Sequence, residues 1–408
     1  MSFNRLLIRV LLWRGLYFLS AFLLNVLLVR YYGAAGSSMV YYLISLYTLV
    51  LLIAGFSLES GMSYFLARGE AREGELSSLA VLWTVIFSLA SLPLLTIYFH
   101  FFDAEIAREL FGATAFTFIP GQLLITYFTA LFYAKEASVL PNMLLVAVNL
   151  LLILLIPSAG IVHTGLGAAG YLKIYFWAIL VQGLLLAVVF AGKYGRSFRL
   201  PDRPLFKKIF RYSAVALTAN VLFFLVYRVD YWFVKRFCTA DQLGNYIQVS
   251  KLGQIVLLLP GILASVIFPR TALGKHEDMA RALTRMIRNA VLLFFLVFAV
   301  VFFTGRTVFP LVFGRSLDQM YVPMLILLPG ILFLSVLALL SAYFGGIHRP
   351  DVNAKGAMAG LIVIIIGDIL VIPRYNIAGA AAVSSAGYLV CMLYSWREFK
   401  KIYTRTNG

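Results

Sequence analysis

The chain has 408 residues, of which 62% are hydrophobic and 12% charged, where a soluble domain carries about 25% charged residues. With a mean hydropathy of +0.93 it reads as an integral membrane protein, and no polar stretch is long enough to build even one soluble domain. The formal charge of +17 is taken first as a topology signal, and no basic run carries a nucleic-acid-binding motif, so nucleic acid is not expected as a partner.

A membrane-spanning helix needs about 20 mostly apolar residues. About twelve such windows follow one another, near 6–29, 38–66, 77–99, 107–132, 139–157, 168–191, 208–234, 243–268, 287–304, 320–345, 354–372 and 377–396. The first is too long for a signal-peptide core and no small-residue cleavage site follows it, so it is expected to stay as a spanning helix. Strand alternation is absent, which disfavours a barrel. The expected fold class is therefore all-α, a polytopic membrane protein of about twelve helices.

Placing the N-terminus in the cytoplasm puts about 23 of the 34 Lys and Arg on the inner side and about 8 on the outer side, the asymmetry of the positive-inside rule. Both termini are then cytoplasmic, and the outer loops are too short to form a domain. The longest polar break, with "GRSFRLPDRP", reads as a basic linker at 192–207 between a six-helix lobe at 1–191 and a second at 208–396, followed by a cytoplasmic tail at 397–408. The halves echo each other weakly: "LVRYYGAAGSSMVYY" follows helix 1 and "VKRFCTADQLGNYI" follows helix 7. An even number of helices per half gives both the same orientation, with a repeat axis along the membrane normal. Two lobes around a central cleft is the architecture this suggests.

In helix 7 the run "LVYRVDYWFVKRF" carries Arg228 and Asp230. "DQLGNYIQVSKL" comes next, with Gly244 and Tyr246 opening helix 8, and "LLLPGILASVIFPR" closes on Pro269 and Arg270. Together with "LVRYYGAAG" leaving helix 1, this resembles the multidrug/oligosaccharidyl-lipid/polysaccharide exporter superfamily, within it the polysaccharide or O-antigen flippases. The resemblance implies twelve helices in two lobes, with a cavity lined largely by helices 1, 2, 7 and 8. It also implies a lipid-linked oligosaccharide as substrate. Two departures stand out: the turn after helix 1 reads "GAAGSS", and the chain is short for the family.

Charges inside membrane segments cost about 2.5–3.5 kcal/mol each on insertion scales and so face a cavity or a partner. The deepest are Arg14 on helix 1, Glu59 on helix 2, Arg228 and Asp230 on helix 7 and Lys251 on helix 8, all on the helices that the resemblance assigns to the cavity. Arg14, Phe18, Ala21 and Asn25 share one helical face. Tyr41, Ser45, Thr48, Leu52, Gly55 and Glu59 step similarly along helix 2, and Asn245, Gln248, Lys251 and Gln254 along helix 8. Arg228 shares a face with Tyr231, whereas Asp230 is two residues away and points to the opposite side, so the two are not expected to pair.

Arg14, Arg228 and Lys251 are thus candidate ligands for a diphosphate, which Arg binds through parallel hydrogen bonds. Glu59 and Asp230 are candidates for coupling to protons or sodium, and Asn25, Gln248 and Gln254 for lining the cavity. The plainer alternative is that Arg14 and Arg228 snorkel to the interfaces, and that Asp368 is structural and reaches Arg374. No cofactor beyond a coupling ion is expected. Membrane lipids are expected partners, with polymerase or assembly proteins as further candidates.

Other signals carry less. "GLGAAG" at 165–170 follows no strand and opens an apolar helix, so its small residues are read as packing. Cys238 and Cys391 lack a C-x-x-C partner and behave as small hydrophobes. The four histidines are scattered, which gives no metal-ligand spacing and no base for a nucleophile. No enzyme is expected. The functional expectation is a flippase in the inner membrane working by alternating access, with a drug/cation antiporter of the same fold as the alternative.

Overall fold

The computed structural model describes residues 3–101, 109–135, 137, 139–156, 167–194, 199–257, 260, 261, 263, 264, 267, 271, 276–347 and 349–406. Among them are eleven helices of ten or more residues and no strand. These are α1 (Phe3–Gly55), α2 (Leu58–Ala67), α3 (Glu73–Phe101), α4 (Ile119–Ala134), α5 (Val139–Leu154), α6 (Ala168–Tyr194), α7 (Arg203–Phe237), α8 (Ala240–Val256), α9 (His276–Phe313), α10 (Tyr321–Gly346) and α11 (Pro350–Thr406). A π-helical turn, Thr114–Phe118, leads into α4 and a 3₁₀ turn, Arg315–Met320, into α10. Among the described residues eight helical stretches are long and apolar enough to cross a membrane, and the chain is a multi-pass membrane protein.

The difference between about twelve windows and eight such stretches has a physical origin. A helix of 53 residues would measure about 80 Å, against a hydrocarbon core of about 30 Å. Accordingly α1 breaks at Gly33 (φ 69°, ψ −174°), a conformation open only to glycine. The 57-residue α11 breaks at Asn376 (φ 50°, ψ −140°). Each therefore joins two of the apolar windows. Within the windows at 139–157 and 243–268 the described residues form α5 and α8, of 16 and 17 residues, and these two are not among the eight.

Two compact units divide the chain. The first comprises Met1–Tyr32 and Tyr42–Val221, the second Gly33–Tyr41 and Leu222–Gly408. The sequence puts the division in the polar break at 192–207; the contacts put it inside α7, whose first half packs within the first unit. The strip 33–41 belongs to the second unit although the helix on either side of it belongs to the first.

Local chemistry starts the helices where the sequence changes character. Asp202 Oδ1 accepts from the Leu205 N–H at 2.9 Å at the head of α7. A capping box opens α8, in which Thr239 Oγ1 accepts from the Gln242 N–H at 3.3 Å and Gln242 Oε1 accepts from the Thr239 N–H at 3.2 Å.

Within each unit, glycines let backbones touch. In the first, a Cβ on Gly121 would stand 2.6 Å from the Leu180 backbone, and one on Gly183 would stand 2.5 Å from the Gly121 carbonyl, locking α4 to α6. In the second, the two arms of α11 close on each other at Gly360 and Gly387, and Gly244 of α8 lies against Ala34, whose carbonyl oxygen a Cβ would approach to 2.2 Å. Helix association in lipid depends on such close packing because there is no water to expel.

Gly33→Ala and Gly244→Ala are expected to lower the thermal midpoint of the purified protein, each costing about 1–3 kcal/mol through backbone strain or a clash with backbone. Gly15→Ala, where a Cβ meets nothing within 4 Å, serves as the control and is expected to be neutral or stabilising by about 0.5–1 kcal/mol. Differential scanning fluorimetry in detergent measures all three.

Candidate functional site

The second unit gathers most of the ionisable candidates. Arg228 and Asp230 turn to different partners, as their two-residue spacing requires. Arg228 donates from Nη1 to Tyr231 Oη and from Nη2 to Gln254 Oε1 at 3.0 Å, and its guanidinium stands 4.8 Å from the centroid of the Tyr231 ring. Lys251, one turn earlier than Gln254 on α8, places its ammonium over the ring of Tyr41. Arg228 and Lys251 lie close enough for their like charges to act on each other. The Arg228 guanidinium is thus steadied by an aromatic face and an amide, and the Lys251 ammonium by an aromatic face. The sequence marks Arg228 and Lys251 as candidate ligands and Gln254 as cavity lining; Tyr41 falls on the helix 2 stripe, and nothing in the sequence signals that its ring meets Lys251.

Asp230 is almost fully buried. Its Oδ2 accepts from Tyr246 Oη at 2.5 Å and from Ser384 Oγ at 2.9 Å, and its Oδ1 has no hydrogen-bond partner. This gives the "G-x-Y" at the head of α8 a physical meaning: Gly244 admits Ala34 and Tyr246 reaches Asp230.

Asp368, on the first arm of α11, is fully buried and both its oxygens lack hydrogen-bond partners. It therefore does not reach Arg374, contrary to expectation. Its charge is instead felt by that of Asp230. The signal for it was present, since an Asp inside "VIIIGDILVI" is costly unless something offsets it. Gln248 is buried on α8. Asn245, on the same stripe, is spent structurally: it donates to the Asp241 and Ser316 carbonyls and accepts from the Gln319 N–H.

In the first unit, Asn25 is half-buried on α1, and the side chain of Arg14 lies outside the described residues, as do Pro269 and Arg270. Glu59 sits in the first turn of α2. The helix does not run through to it, because Phe56 and Ser57 take left-handed φ values of 53° and 49°, so the regular stepping expected from Tyr41 to Glu59 ends at Gly55. Thr48, Leu52, Gly55 and Glu59 nonetheless line one cavity of about 210 Å³ together with Gln122 and Thr126. Lys173, at the start of α6, pairs with Glu109 at 2.8 Å.

Solved structures of the same architecture cover nearly the whole chain. A multidrug resistance MATE family transporter of the MOP superfamily, inward-facing, superposes with a TM-score of 0.76 at 15% identity, over 96% of this chain and 94% of its own. The lipid II flippase MurJ in an inward closed conformation gives 0.73 at 14% identity, over 96% and 87%. The Vibrio cholerae MATE transporter VcmN in its bent form gives 0.66 at 13% identity, over 98% and 97%. Among curated proteins, a probable low-salt glycan biosynthesis flippase, Agl15 of Haloferax volcanii, is 21% identical over 217 residues, 52% of this chain. The match spans less than half of that relative, 46% of its length. Residues 40–322 match the family described as polysaccharide biosynthesis protein. The chain has the fold of the MOP superfamily transporters and belongs to the polysaccharide biosynthesis protein family.

Proposed function

We propose that this chain is a flippase that moves a polyprenyl-diphosphate-linked oligosaccharide across the cytoplasmic membrane by alternating access. The observation that carries the reading is the pair Arg228 and Lys251, two neighbouring cations on the spanning helices α7 and α8, held by Tyr231, Gln254 and Tyr41. Such a pair is expensive in hydrocarbon and suits a ligand with two negative charges a few ångströms apart, which a diphosphate supplies. Gln248, on the same stripe of α8 as Lys251, would be polar lining, and Arg14 and Asn25 on α1 of the first unit are separate candidates for contacting the head group. The prenyl tail would stay in lipid while the head group moves. Family membership and the likeness to a glycan flippase support this substrate class. Both termini would be cytoplasmic, and polymerase or assembly proteins would take the product.

A second reading, an antiporter exporting cationic drugs, is favoured by one observation, the two buried carboxylates Asp230 and Asp368. In the flippase reading the same carboxylates bind the coupling ion. Asp230, Asp368 and Ser384 offer oxygen donors without a neutralising Lys or Arg bonded to them, and a proton or sodium ion would offset the charge. Glu59 is a second carboxylate available for coupling.

Two measurements test these assignments. In a host deleted for the gene, mass spectrometry of lipid extracts is expected to show an accumulated diphosphate-linked oligosaccharide that the wild-type gene clears. Arg228→Ala and Lys251→Ala should fail to clear it at normal membrane levels, and Arg228→Lys should do so in part. No accumulation, with altered drug susceptibility, would instead establish the antiporter. Asp368→Asn is expected to keep or raise the thermal midpoint, since it removes a buried charge with no bonded partner, while transport falls. Loss of stability together with transport would return Asp368 to a structural role.

A further inference from the structure

Three departures from regular helix converge on the cavity that holds Glu59, all within the first unit. Phe56 and Ser57 are left-handed without being glycine, a strain of about 1–3 kcal/mol per residue that persists only where surroundings over-determine it. Here they do: Tyr127 Oη donates to the Gly55 carbonyl at 2.9 Å, Trp83 Nε1 to the Ala54 carbonyl at 2.9 Å, and Asn220 Nδ2 to Ser57 Oγ at 3.0 Å. The π-helical turn Thr114–Phe118 leads into α4 and sets the register of Gln122 and Thr126. Strained bends and π-turns concentrate at ligand sites.

The chemistry of the walls selects the ligand. Thr48 Oγ1 gives its proton to the Ile44 carbonyl at 2.7 Å, Thr126 Oγ1 to the Gln122 carbonyl at 2.8 Å, and Tyr127 Oη to that of Gly55. With their protons committed to backbone, these three hydroxyls can present only lone pairs to the cavity. Glu59 adds a carboxylate, whose own contact with Ser60 is long, at 3.5 Å. Among the described residues no Lys or Arg lines the space. Uncharged oxygens with a single carboxylate suit a hard cation of one charge. A water molecule occupies about 30 Å³ of liquid, so a cavity of about 210 Å³ holds such an ion with part of its hydration shell.

We propose that the Glu59 cavity of the first unit is a binding site for a monovalent alkali cation, held by the Glu59 carboxylate and the oxygens of Thr48, Thr126 and Tyr127. The site is separate from the Asp230 and Asp368 pair. Because Ser57 and Gly55 sit in its wall, occupancy would brace the left-handed bend between α1 and α2. The inference deepens the ion-coupling part of the proposed function and does not depend on the glycan substrate.

The test is sodium binding to the purified full-length protein in nanodiscs, by radiolabelled sodium in a scintillation proximity assay with choline chloride holding ionic strength constant. The protein carrying both Asp230→Asn and Asp368→Asn is used, so that only the first-unit cavity is read. Saturable binding is expected there. Adding Glu59→Gln should weaken it about tenfold or more, affinity at hard-oxygen sites following ligand charge, and adding Thr126→Val should weaken it less. Size-exclusion profiles and melting curves in choline verify that each variant is folded. Absence of binding in the double variant, or binding unchanged by Glu59→Gln, would overturn the proposal. No glycan enters the assay, so failure of the flippase assignment leaves this result standing, and a confirmed flippase without sodium binding sinks this inference alone.

Discussion

A peptide group in hydrocarbon has no water to bond, so each place where a helix stops must be covered by protein. The bend between α1 and α2 shows the constraint at work. The carbonyls of Ala54 and Gly55, released when the helix ends, are taken by Trp83 and Tyr127. The end of the second helix is closed at Gly69 (φ 71°), whose N–H returns to the Leu66 carbonyl at 3.0 Å. The covering also reaches the polar cavity, because Tyr127, whose hydroxyl caps the Gly55 carbonyl, lines it beside Glu59.

The same limit on unsatisfied polarity separates the charges of the second unit into two chemistries. Arg228 and Lys251 rest on aromatic rings and an amide, which soften a positive charge without cancelling it. Asp230 is bonded by two hydroxyls on other helices and Asp368 by nothing. On α7, Arg228 bonds to Tyr231 and Gln254, while Asp230 bonds to Tyr246 and Ser384.

The helical class and the exceptional charges were legible in the sequence because both rest on local composition. An apolar window declares a spanning segment, and an Arg or Asp inside one declares a cost. Boundaries were less legible where geometry overrode composition. The polar run at 192–207 looked like a divide, but contacts carry the first half of α7 into the first unit. Nothing in "LVRYYGAAGSSMVYY" says that Ala34 will lie on Gly244 and Tyr41 on Lys251, since both contacts join residues about two hundred positions apart. Glu59 was placed on a helical stripe by counting, and the left-handed Phe56 and Ser57 made the count fail while the cavity kept the residue beside Thr48 and Gly55. Asp368 was visible as an anomaly, but its nearness to Asp230 depends on the packing of α11 against α7 and α8.

The strip 33–41 has a consequence for how the protein is made. It leaves the ribosome early, yet the surfaces it completes, on α8 and at Ser316, are synthesised long afterwards. Domains generally fold in the order they are made; here an early segment has to wait in the membrane, unpacked, for a late one. The second unit is therefore not a heritable module in the genetic sense: a gene cut at the 192–207 break would encode a back half missing one of its own walls. Duplication or shuffling of that half would carry the helices but leave behind the residues that Gly244 and Lys251 pack against.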